Sequence, residues 1–157
     1  MLLLALALTN DAHAKKTQVG TDKTTGIGVN LGSPNAFTAK YWMKPKKAVS
    51  VTAGAYTNPL RLGTVMARVQ YEQVFYTIGN WDWGKLDLYW NAGVGSNVTV
   101  VGLGLQPGVG GGVSALIRFK AVPAEVFVDN SIYAYPAWMT PSFETGYVGG
   151  LGGRWYF

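Results

Sequence analysis

The sequence predicts an all-β fold, with eight antiparallel strands running up and down and closed into one barrel. Three observations carry that expectation. Apolar and polar residues alternate with period two along almost the whole chain beyond residue 24, as in strands whose two faces meet different surroundings. Turn-forming residues interrupt the alternation at fairly regular intervals. The longest uncharged stretch, Leu88 to Ile117, holds eight glycines along with Pro107, Asn91, Asn97 and Gln106. Glycine costs about 1 kcal/mol against alanine in a helix interior and proline about 3, so two strands joined by a loop suit this stretch and a membrane helix does not. The 157 residues suit a single domain.

The strands follow in order. The first spans Thr24 to Leu31, with Ile27, Val29 and Leu31 opposite Gly26, Gly28 and Asn30. The second, Ala36 to Met43, sets Phe37, Ala39, Tyr41 and Met43 against Thr38, Lys40 and Trp42. The third, Ala48 to Tyr56, sets Val49, Val51, Ala53 and Ala55 against Ser50, Thr52, Gly54 and Tyr56. The fourth, Leu62 to Tyr76, carries Val65, Ala67, Val69, Tyr71 and Phe75 opposite Thr64, Arg68, Gln70 and Glu72. In the fifth, Lys85 to Val94, Leu86, Leu88, Trp90, Ala92 and Val94 oppose Lys85, Asp87, Tyr89 and Asn91. The sixth, Gly108 to Phe119, opposes Val109, Val113, Ala115, Ile117 and Phe119 to Ser114, Arg118 and glycines. The seventh, Ala124 to Tyr133, opposes Val126, Val128 and Ile132 to Glu125, Asp129 and Ser131. The eighth, Thr145 to Phe157, has Tyr147, Leu151, Trp155 and Phe157 on one face and Arg154 on the other.

Ahead of the strands, residues 1–14 have the pattern of an export signal. Leu2 to Leu8 is an apolar core, Ala12-His13-Ala14 is a small-x-small cleavage site, and Lys15 becomes the mature start. Cleavage would remove the single histidine. Residues 15–23 then form an N-terminal periplasmic tail, and 24–157 form the barrel. The chain has no cysteine, which excludes disulfides, thiolate metal sites and thiol nucleophiles. The net charge of +5 comes from lysines clustered at Lys15-Lys16 and at Lys44, Lys46 and Lys47. No long basic helix or basic-aromatic strand motif accompanies them, so no nucleic-acid partner is expected.

An apolar face and a polar face leave two barrels to choose between. A soluble barrel turns its apolar face inward, and a transmembrane barrel turns it to lipid. Three features favour the second. The charges within the strands lie on the polar parity and nearly balance: Lys40, Arg68, Arg118 and Arg154 against Glu72, Asp87, Glu125 and Asp129. A solvated face needs no balance, whereas a narrow closed lumen does, because an unpaired buried charge is costly. The polar parity is also rich in glycine and serine, which suits the crowded interior of an eight-stranded barrel. Aromatics gather near strand ends on the apolar parity (Phe37, Tyr41, Phe75, Trp90, Phe119, Trp155 and Phe157) and in adjacent turns (Trp81, Trp83 and Trp138), as in interfacial girdles.

Two segments carry a family resemblance. The closing Trp155-Tyr156-Phe157 resembles the C-terminal signature of bacterial outer-membrane barrels, in which the barrel-assembly machinery reads the terminal aromatic. Gly26-Ile-Gly-Val-Asn-Leu-Gly-Ser-Pro34, followed by Ala39-Lys40-Tyr41-Trp42, resembles the opening hairpin of a family of small, poorly characterised bacterial outer-membrane barrels of OmpA/OmpX-like architecture. Pro123-Ala124-Glu125-Val126-Phe127 and Gly150 to Phe157 match that family's seventh and eighth strands. The resemblance implies an integral, monomeric outer-membrane barrel. Its expected partners are outer-membrane lipid and lipopolysaccharide, the assembly machinery and periplasmic chaperones. The family has no established shared activity.

In that topology both termini face the periplasm. The outer loops are 32–35, 57–61, 95–107 and 134–143, and the periplasmic turns are 44–47, 77–84 and 120–123. The third loop is apolar enough either to extend the fifth and sixth strands or to offer a sticky surface. Catalytic chemistry is not expected, since a mature chain without histidine lacks the usual general base. Glu125 and Asp129 share a face and could act as paired carboxylates, but a salt-bridge network with Arg118 and Arg154 accounts for them better. No cofactor is expected. A calcium site of Asp and carbonyls stays open. The expected role is structural or one of surface interaction. A small pore or transporter for small or apolar solutes, and a secreted lipocalin-like binding protein, are the alternatives.

Overall fold

The computed structural model describes residues 19–57, 63–99, 104–136 and 144–157. The export segment expected over 1–14, residues 15–18 of the expected tail, and loop residues 58–62, 100–103 and 137–143 lie outside the described residues. The strands are β1 (Thr25–Ser33), β2 (Asn35–Lys44), β3 (Lys47–Ala55), β4 (Thr64–Asn80), β5 (Gly84–Thr99), β6 (Gly104–Phe119), β7 (Ala124–Tyr135) and β8 (Glu144–Tyr156). Each pairs antiparallel with its sequence neighbours. β8 pairs back onto β1, which closes an eight-stranded barrel.

The register fixes the barrel's shape. A walk straight across the ladders from Gln106 passes through Asn97, Met66, Gly54, Ala36, Asn30, Gly152 and Phe127. It returns to β6 at Leu116, ten residues from where it began. Eight strands spaced by ~4.8 Å with that offset tilt by about 40° from the barrel axis. A barrel of this size has an interior just wide enough for side chains to fill.

Which side chains fill it follows from the pleat. Along β2, Ala36, Thr38, Lys40 and Trp42 are buried, while Phe37, Ala39, Tyr41 and Met43 are exposed. The same alternation recurs around the barrel, so Val29, Val51, Val69, Val94, Val128 and Leu151 point outward. Inside, two apolar clusters flank a polar middle. One, at the mouth where β1 begins and β8 ends, includes Val19, Trp42, Tyr89, Leu116, Phe127 and Tyr156. The other, near the opposite mouth, comprises Tyr56, Met66, Tyr133, Tyr135 and Val148.

Several strands run longer than their sequence patterns predict. β4 continues through the turn-like Gly79-Asn80, which pair with Leu86 and Lys85 after two bulges. The hairpin is closed further on, where the Trp81 N–H donates to the Gly84 carbonyl at 2.9 Å. β5 reaches Thr99 and β6 begins at Gly104, so the apolar segment read as a third loop mostly extends these two strands. Close strand approach explains the glycines at two interior positions. A Cβ at Gly28 would lie 1.8 Å from the Gly153 carbonyl oxygen, and one at Gly112 would lie 1.8 Å from that of Asn130.

Residues 19–23, expected as part of a tail, are folded against the barrel. The Gly20 N–H donates to the Lys23 carbonyl at 2.8 Å, Gly20 takes a φ of 91°, and Val19 is buried beside Trp42. This turn covers the mouth at which both ends of the barrel meet.

Candidate functional site

All eight charged residues singled out in the strands are buried, none more than 8% exposed. They form three ion-paired groups stacked along the barrel. Nearest Val19, Arg118 on β6 pairs with Asp87 on β5, donating from Nε at 3.1 Å and from Nη2. Thr77 donates to the other Asp87 oxygen at 2.6 Å, and Lys85 Nζ lies 3.5 Å from it. Arg118 Nη1 also donates to the Val19 and Pro45 carbonyls, each at 3.2 Å, tying the N-terminal turn to the barrel wall.

The next group is the densest. Lys40 Nζ lies 2.7 Å from Glu72 and 3.5 Å from Glu125, and 4.3 Å from the Trp42 ring centroid. Arg154 Nη1 donates to Glu125 at 2.6 Å, while its Nε and Nη2 donate to Thr38 Oγ1 at 3.1 and 2.9 Å. The guanidinium sits over the Phe127 ring, 3.9 Å from its centroid. Glu125 and Arg154 are direct cross-strand partners, which is why β7 and β8 bring them together.

Above these, Arg68 pairs with Asp129. A neutral mesh surrounds the pair. Gln70 donates to Asn91 at 3.0 Å, Asn91 to Ser114 at 3.1 Å, Ser131 to Asn91 at 2.9 Å, and Ser114 to Asp129 at 3.3 Å. Toward the far mouth, Tyr56 donates to Asn97 at 3.5 Å and the Tyr133 and Tyr135 rings stack with centroids 6.4 Å apart.

The partners differ in one respect from the sequence expectation. Arg118 pairs with Asp87, not with Glu125 or Asp129, because Arg154 and Lys40 already hold Glu125 and Arg68 holds Asp129. Glu125 and Asp129 therefore pair with different cations. Among the described residues no three His, Cys, Asp or Glu side chains gather in a metal-binding group. Sequence reasoning passed over Thr38, Gln70, Asn91, Ser114 and Ser131 as network members, although their parity marked them as inward-facing.

At the end of β8 the closing aromatics divide. Trp155 and Phe157 face outward, 50% and 60% exposed, while Tyr156 turns inward and accepts a hydrogen bond from Trp42 Nε1 at 3.1 Å. Comparison with protein families, curated proteins and solved structures finds no match for this chain.

Proposed function

We propose that the chain is an integral bacterial outer-membrane β-barrel with a closed, salt-bridged lumen and a structural or surface-interaction role. The observation that carries this reading is the inverted distribution of side chains. A continuous coat of valine, leucine, isoleucine and aromatic groups faces outward, while four cations and four anions neutralise one another inside. In water that arrangement would expose the apolar surface and bury the charges, losing on both counts. In a bilayer both terms change sign, since lipid favours the coat and a closed barrel leaves no unpaired strand edge. A secreted lipocalin-like binder fits poorly, because such a barrel needs an apolar inner cavity and this interior is filled by ion pairs.

The resemblance to small outer-membrane barrels supports the same location. It makes the outward Trp155 and Phe157 the groups read by the assembly machinery, with periplasmic chaperones, membrane lipid and lipopolysaccharide as surroundings and the monomer as the working form. The test is fractionation of the chain expressed in a Gram-negative host. Recovery in the outer membrane, with a gel mobility that shifts on boiling, is expected. A folded form that stays soluble without detergent overturns the reading.

One observation favours a small pore as the second reading. Asn30 is 1% exposed, neither amide atom has a hydrogen-bond partner, and its Oδ1 lies beside Gly150 on the glycine-rich face of β8. Planar bilayers separate the two readings. Steady single-channel steps support the pore, and their absence supports the sealed barrel.

A further inference from the structure

The mouth that holds Val19 and Phe157 is also where the surface charge collects. Lys44, Lys46 and Lys47 are exposed on the β2–β3 turn, Lys85 and Lys120 flank the next two turns, and Lys23 ends the N-terminal turn. Among the described residues, the exposed acids at this mouth are Asp22 and Asp82. Arg118 and Asp87 neutralise each other inside and leave the surplus unchanged. Among the described residues the opposite mouth presents one charged side chain, Glu144. The barrel is therefore strongly polarised along its axis.

Aromatic groups collect at the same mouth. Trp81 and Trp83 stack with centroids 5.5 Å apart and planes within 4°, and Phe119 packs on Trp83 at 6.2 Å. Tyr41, Phe75, Trp155 and Phe157 continue this belt around the rim, each at least half exposed. Amphipathic rings of this kind settle at headgroup depth, and lysine stems can lie along apolar surface while the ammonium reaches outward. The rim therefore offers a ring of cations just beyond a ring of aromatic anchors. That spacing matches phosphate groups lying just beyond acyl chains.

We propose that this rim is a docking surface for anionic phospholipid headgroups, and that it sets the depth and direction of the barrel in one leaflet. The proposal rests on the reading of the chain as a membrane barrel. With the termini in the periplasm, the leaflet contacted is the periplasm-facing one. Each lysine near an anionic surface adds attraction, which falls off within a Debye length and so weakens with salt.

The test uses the full chain, refolded into phosphatidylcholine vesicles doped with spin-labelled phosphatidylglycerol or spin-labelled phosphatidylcholine. The readout is the share of each label immobilised at the protein surface. A preference for the anionic lipid of about threefold or more is expected, reduced by salt and in the K44Q/K46Q/K47Q variant. That variant should keep the boiled-versus-unboiled mobility shift, which shows that it still folds. Equal immobilisation of the two labels in an integrated barrel overturns the rim proposal alone. A preference that survives the triple substitution overturns it too, by placing the site elsewhere. Failure to integrate into vesicles of any composition overturns the membrane reading, and the rim proposal with it.

Discussion

Trp42 and Tyr156 stand 114 residues apart in sequence and meet inside the barrel, where the indole N–H donates to the phenol oxygen at 3.1 Å. The contact joins β2 to β8 beneath Lys40 and beside Val19, at the mouth covered by the N-terminal turn. Tyr156→Phe keeps the ring and removes the acceptor, so it should cost about 1 kcal/mol. Tyr156→Ala also empties the space and should cost about 3–5 kcal/mol. Denaturant unfolding of the refolded barrel, followed by tryptophan fluorescence, measures both.

Lys40 is the shared cation of Glu72 and Glu125. Lys40→Met leaves Glu72 buried without its cation, so destabilisation of about 3–5 kcal/mol is expected. Adding Glu72→Gln in the same chain should recover much of that loss, because the stranded charge goes with it. A double-mutant cycle on unfolding free energies reads the coupling. Equal losses for the single and double variants would show that Lys40 acts through packing on Trp42 instead.

Val128 points outward from the middle of β7 and is 51% exposed. In lipid, Val128→Arg should cost about 2–4 kcal/mol. On a solvated surface the same change would fall within about 0.5 kcal/mol. Comparing variant and parent during folding into vesicles decides between the two surroundings at a single residue.

Gly112 has no room for a Cβ, which would sit 1.8 Å from the Asn130 carbonyl oxygen. Gly112→Val should therefore prevent closure of the β6–β7 ladder and abolish the heat-modifiable form on gels. The neighbouring outward Val113→Ala, which meets no such wall, should leave that form in place.

The sequence made the faces legible and left the partners hidden. Period-two alternation assigns Lys40, Arg68 and Glu125 to one side of the sheet whatever the register. Which of them touch depends on the ten-residue offset around the barrel, and no local pattern encodes that offset. Arg118 is the instructive case. It stands directly opposite Glu125 in the β6–β7 ladder, yet Arg154 and Lys40 hold that carboxylate and the Arg118 guanidinium turns to Asp87, a diagonal neighbour on β5. Strand ends are hidden for a related reason. Gly79 and Asn80 have the chemistry of a turn, but the ladder with β5 continues and bulges carry the chain past them. Val19 gave no signal at all, because one apolar residue within a polar segment has no period.

The pairing of β8 with β1 has a temporal consequence. The first hairpin to leave a ribosome or translocon keeps a bare edge until the strand most distant from it in sequence arrives. That same late strand delivers Arg154, so until then Glu125 must wait without its cross-strand counter-ion. Closure is thus postponed until all eight strands are available. Every earlier intermediate carries two open ladders, one on β1 and one on the last strand made, and both are satisfied together when β8 docks.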